Sequence, residues 1–100
     1  MRPALAAASA ILLVCAAPLR AENYLFEGKW DCEVGTFTFT DSTYDPGGEV
    51  MDILDVARDG STFVLTFADD YQLGLSMNPD GTMEWFSAVS GDSFTCRPLP

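Results

Sequence analysis

Beyond residue 21 the chain alternates apolar and polar positions with a period of two. That is the pattern of strands that bury one face. In the first such run Phe26, Gly28, Trp30 and Cys32 share one side, and Glu27, Lys29 and Asp31 share the other. Phe37 and Phe39 then alternate with Thr36, Thr38 and Thr40. Phe63, Leu65 and Phe67 alternate with Thr62, Val64 and Thr66, and Tyr71, Leu73, Leu75 and Met77 with Gln72, Gly74 and Ser76. Met83 and Trp85 oppose Glu84, Phe86 and Ala88, while Phe94 and Cys96 oppose Thr95 and Arg97. The run 50–57 is mixed, with Val50, Leu54 and Val56 on one face and Met51, Ile53 and Ala57 on the other. The reading places Leu54 and Val56 inside.

Turn formers separate these runs. Residues 41–48 make the longest connection, Asp59-Gly60 is a hairpin signal, and Asp69-Asp70 marks another turn. Asn78-Pro79-Asp80-Gly81 has Pro at the second turn position and Gly where positive φ is needed, and Ser90-Gly91-Asp92 turns the chain again. No helical periodicity is sustained after residue 21. About seven short strands with short links predict an all-β antiparallel up-and-down meander. Cys32 and Cys96 fall on inward faces of the first and last strands. A disulfide between them needs Cα atoms within about 7 Å, which brings the ends of the sheet together. The expected result is a small barrel that removes its own edges, with a two-sheet sandwich as the alternative.

The first 21 residues differ in kind. Arg2 precedes an apolar stretch from Ala4 to Ala17, which Pro18 breaks. Its length suits a secretory leader and falls short of the roughly 20 residues a membrane span needs. Ala21 offers a small residue for cleavage, with cleavage after Ala17 as the alternative. Cys15 follows Val14 where a lipidation signal has a small residue, so an ordinary leader is expected over a lipid anchor. Residues 22–100 then form one small domain, exported to the periplasm or beyond.

Removing Arg2 and Arg20 with the leader leaves Lys29, Arg58 and Arg97 against 15 acidic residues, a balance of −12. Such a surface argues against nucleic acid, whose phosphates require basic residues, and against anionic membranes. It suits a basic protein partner, and it also keeps copies of the domain apart. Two cysteines in a secreted chain read as a structural bridge. Closing a loop of about 64 residues contributes about 4 kcal/mol by chain entropy.

The chain has no His. That removes Ser-His-Asp and Cys-His catalysis and imidazole ligation of zinc. Gly47-Gly48 lacks the Lys and helix start of a phosphate loop. Asp41, Asp45, Glu49 and Asp52 cluster, but Pro46 stands where a calcium loop needs Gly. A non-enzyme without cofactor or metal is expected, and the acidic hairpin reads as a solvated surface. For partner contact the candidates are Tyr44, Phe86 and the Ser90-Gly91-Asp92 turn, with Trp85 better suited to the core.

Gly28-Lys29-Trp30 is similar to the G-x-W opening of lipocalin barrels. A longer pattern runs through Phe26-x-Gly28-x-Trp30-x-Cys32, Phe37-Thr38-Phe39-Thr40, Tyr44-Asp45, Asp80-Gly81-Thr82-Met83 and Ser90-Gly91-Asp92-x-Phe94-x-Cys96. It resembles small secreted proteins of alphaproteobacteria with no assigned function, and the resemblance implies a periplasmic home. Ser87-Ala88-Val89-Ser90-Gly91 before Cys96 is also similar to the Ser-Gly loop of periplasmic c-type lysozyme inhibitors, with Asp92 where those carry a basic residue. The expectation is a non-catalytic binding or accessory protein of the cell envelope, with inhibition of a secreted hydrolase as the alternative.

Overall fold

The computed structural model describes residues 24–100. The leader, its cleavage after Ala21 and Cys15 lie outside the described residues. The expected antiparallel meander is present, as nine strands rather than about seven: β1 (Gly28–Asp31), β2 (Thr36–Phe39), β3 (Thr43–Asp45), β4 (Met51–Asp52), β5 (Asp55–Asp59), β6 (Thr62–Thr66), β7 (Gln72–Met77), β8 (Met83–Ser87) and β9 (Ser93–Pro98). They form one curled sheet in the order β4-β3-β2-β1-β9-β8-β7-β6-β5. Each strand thus pairs with its sequence neighbours except across the β4–β5 break, which leaves those two strands at the sheet's edges, and β9 returns to lie beside β1. Among the described residues no helix is long and apolar enough to cross a membrane.

Two bends curl the sheet. β9 pairs with β8 as far as Cys96, then with β1 through Arg97 and Pro98. The second bend lies between β4 and β5. Ile53 N–H donates to Ser42 O at 2.9 Å, and the next residue, Leu54, donates to Thr66 O at 2.8 Å. Consecutive amides therefore reach toward β3 on one side and β6 on the other, and the two edges of the sheet meet at this corner. Strands that switch partners at a corner also build orthogonally packed sheets, which explains why the sequence pattern fitted both a barrel and a sandwich.

The same corner corrects the reading of residues 50–57. The alternation slips by one residue there, so Met51, Ile53 and Val56 all pack against the core. Leu54, expected inside, is 64% exposed. A second correction concerns residues 41–48. Thr40 Oγ1 accepts from Ser42 N and Thr43 N and bonds Thr43 Oγ1 at 2.7 Å. That hydroxyl closes the turn, and the chain re-enters the sheet as β3. Tyr44, opposite Phe39 and Met51, is thereby turned into the core.

The interior is predominantly aromatic. Phe26 meets Phe39 and Phe63 edge-on at 5.7 and 5.2 Å, and Tyr44 stacks on Phe39 at 4.7 Å. Trp30 Nε1 donates to Phe26 O at 2.9 Å, which satisfies its polar edge in the core. Leu65, Leu73, Leu75 and Met83 complete the packing from the inward faces of β6, β7 and β8. The Cys32–Cys96 disulfide joins the end of β1 to β9, with Cα atoms 4.0 Å apart.

Candidate functional site

Where β4 bends toward β5 it leaves a cleft facing the connection between β6 and β7. Its volume is about 480 Å³. Phe67, Tyr71, Met51 and Leu54 supply apolar walls, and Glu49, Asp52 and Asp69 bring carboxylates. The size is that of a pocket for a ligand or a few partner side chains.

Both walls follow from local sequence. In the β6–β7 connection Phe67 N–H donates to Tyr71 O at 2.8 Å, and Tyr71 N–H donates back to Ala68 O at 3.3 Å. Asp69 and Asp70 are both left-handed, with φ of 62° and 61°. Asp tolerates that region better than most residues, and a hairpin turn needs it at both central positions. Asp69 is thus held beside Phe67 and Tyr71, along the cleft. On the opposite wall, the slip at the corner turns Leu54 outward.

Beneath the cleft lies a polar group within the core. The Tyr71 hydroxyl bonds Ser87 Oγ at 3.3 Å, and Ser87 is itself buried. The Tyr44 ring lies 5.8 Å from Phe67, whose own ring lies 5.7 Å from Tyr71. Burial pushes the Tyr44 phenol up to about 12, opposed by the Trp85 indole N–H and reinforced slightly by Tyr71 and Asp45. The indole acts on that phenol without closing a hydrogen bond of ordinary geometry. Trp85 Nε1 is the buried side-chain polar atom left without a partner among the described residues.

The sequence-derived contact residues do not gather here. Tyr44 is only 3% exposed, so it supports the cleft floor and presents no surface to a partner, which corrects its assignment. Phe86 does point outward, at 47% exposure, beside a shallow groove over Gly74. Ser90, Gly91 and Asp92 form a separate tight turn after β8. It is closed by Ser87 N to Asp92 O at 3.0 Å and Gly91 N to Ser87 O at 2.7 Å.

The acidic hairpin does not assemble an ion site. Asp45 accepts from Gly47 N at 2.8 Å within its own turn, and among the described residues no three acidic or cysteine side chains converge as metal ligands. Leu54, Phe67 and Tyr71 carry the cleft but read as ordinary core positions in the sequence, and Met51, which joins them, falls on the face opposite the one placed inside. The one signal that pointed there was the conflict between the two faces of residues 50–57.

No family model matches the chain, and searches of curated proteins and of solved structures found no match.

Proposed function

We propose that this chain is a non-catalytic binding protein of the cell envelope that recognises a partner through the cleft between β4 and the β6–β7 turn. The observation that carries this reading is the cleft itself, open, apolar on its walls and flanked by carboxylates. Its side chains offer contact area and charge, and no nucleophile paired with a base. The Cys32–Cys96 disulfide supports an oxidising compartment, in keeping with export by a leader over residues 1–21.

The test is capture from an envelope extract on immobilised protein, at low and then high salt. A single saturable partner that survives high salt, and is lost with Leu54→Ser, is expected. A mixture of basic proteins released as salt screens the charge would contradict the reading.

A second reading, inhibition of a secreted hydrolase, is favoured by the turn after β8. Val89 stands there 75% exposed. Ser90 N to Ser87 Oγ at 3.4 Å and Asp92 N to Ser90 Oγ at 3.3 Å add to the backbone bonds that hold it. A loop already fixed in shape loses little entropy on entering an enzyme. Inhibition of a c-type lysozyme that disappears with Val89→Asp would select this reading, and undiminished lysozyme activity would dismiss it.

A further inference from the structure

We propose that the cleft receives an arginine side chain presented on an apolar segment of a partner protein. This deepens the binding reading above and rests on it.

Charge complementarity is the first argument. Six acidic side chains elsewhere are engaged within the fold, whereas Asp41, Asp55, Asp59, Asp70 and Asp92 accept no such bond among the described residues and lie outside the cleft lining. Glu27 accepts from Tyr24 N, Asp31 from Glu33 N, Glu33 from Thr95 N, Asp45 from Gly47 N, Asp80 from Thr82 and Glu84 from Thr95 Oγ1. Among the described residues the carboxylates of Glu49, Asp52 and Asp69 accept no such bond. Among the described residues no Lys or Arg lines the cleft. Arg58 donates to Gly60 O at 2.9 Å and sits 5.0 Å over the Phe63 ring, and Arg97 lines a small pocket beside Asp31 and Glu33. The cleft therefore keeps negative charge that the fold leaves unanswered and sets it beside apolar walls.

The arrangement of the carboxylates suits an organic cation over a metal ion. These carboxylates do not converge on a point. They accompany a cleft walled by the partly exposed Tyr71 ring, with Phe67 buried beside it. A guanidinium suits that arrangement, being planar, weakly hydrated and able to stack on aromatic rings while forming hydrogen bonds at its edge. Next comes the apolar wall. Val50 and Leu54 are exposed there despite their size. They suit the aliphatic stem of the arginine and an apolar neighbour in the partner segment.

The test is calorimetric titration of the protein with acetyl-Leu-Arg-Phe-amide, its citrulline counterpart and its lysine counterpart, at low and physiological salt. Citrulline keeps the shape and removes the charge. The expected result is saturable one-to-one binding of the arginine peptide. The citrulline peptide should bind at least about fivefold more weakly, as should the arginine peptide to the double variant Asp52→Asn/Asp69→Asn. Leu54→Ser should weaken it comparably. Glu84→Gln, which removes one negative charge outside the cleft lining, should change it by less than about twofold. Thermal melts of each variant confirm that it is folded.

Equal binding of the citrulline peptide, equal loss with Glu84→Gln, tighter binding of the lysine peptide, or no saturable binding would each overturn the proposal. The envelope capture is read separately. A saturable partner whose binding survives Leu54→Ser would preserve a binding protein and remove the arginine cleft.

Discussion

Two acidic regions at different places on the curled sheet make the instructive contrast. At the disulfide end, Asp31, Glu33, Thr95 and Arg97 surround a pocket of about 160 Å³. There Glu33 Oε2 accepts from Thr95 N at 2.7 Å, and Thr95 Oγ1 donates to Glu84 Oε2 at 2.6 Å. The acids hold the last strand against its surroundings, 62 residues from Glu33 in sequence. At the cleft, Glu49, Asp52 and Asp69 accompany apolar walls and hold nothing in place. The acid excess of the chain is therefore two kinds of charge. One kind is structural, and the other is available to a partner. A net charge alone does not separate them; the hydrogen bonds do.

The largest effect that would break the contrast lies at the structural end. Cys32→Ser with Cys96→Ser should lower the stability by about 4 kcal/mol, since the bridge closes most of the domain. Urea unfolding of the oxidised, reduced and double-variant proteins would measure it. Next in size is the response to alkali. The Tyr44 phenol is raised from 10.0 to about 12 by burial. Its contribution is complete below about pH 10 and is lost as pH rises through the folded value, because the unfolded chain ionises first. Stability measured between about pH 9 and 12 should fall more steeply for the native protein than for Tyr44→Phe.

Smaller effects sharpen the comparison. Glu33→Ala should cost about 1 kcal/mol, because it orphans the Thr95 amide. Glu49→Gln should change stability by less than about 0.5 kcal/mol and fall most heavily on binding. Asp70→Gly should stabilise the protein by about 1 kcal/mol or less, because it relieves a left-handed Asp at φ 61° at some cost in unfolded-state entropy. Denaturation midpoints for these three variants, compared with peptide affinity, would show whether structural and available acids differ as described.

Much of the architecture was legible in the period of two. Inward Phe37, Phe39, Phe63, Leu65, Leu73, Leu75, Met83 and Trp85 are all buried, as their alternation with polar neighbours predicts. The Cys32–Cys96 pairing was legible because both cysteines sit on apolar faces of the terminal strands. What resisted reading depends on closure. The slip at Leu54 exists because consecutive amides serve opposite edges of the sheet, and the local pattern shows only a conflict between two faces without resolving it. β3 escaped notice because its single apolar side chain, Tyr44, sits among turn-forming residues. The cleft escaped for the same reason as the corner. Its walls lie well apart in sequence, and only the curled sheet brings them together.

The most direct test is a heteronuclear NMR titration of the labelled protein with the arginine peptide, following backbone amides. Shifts should concentrate at Met51, Asp52, Leu54 and residues 67–71, while Glu33, Thr95 and Arg97 stay still. Shifts centred on Ser90, Gly91 and Asp92, or spread evenly over every acidic surface, would contradict the account.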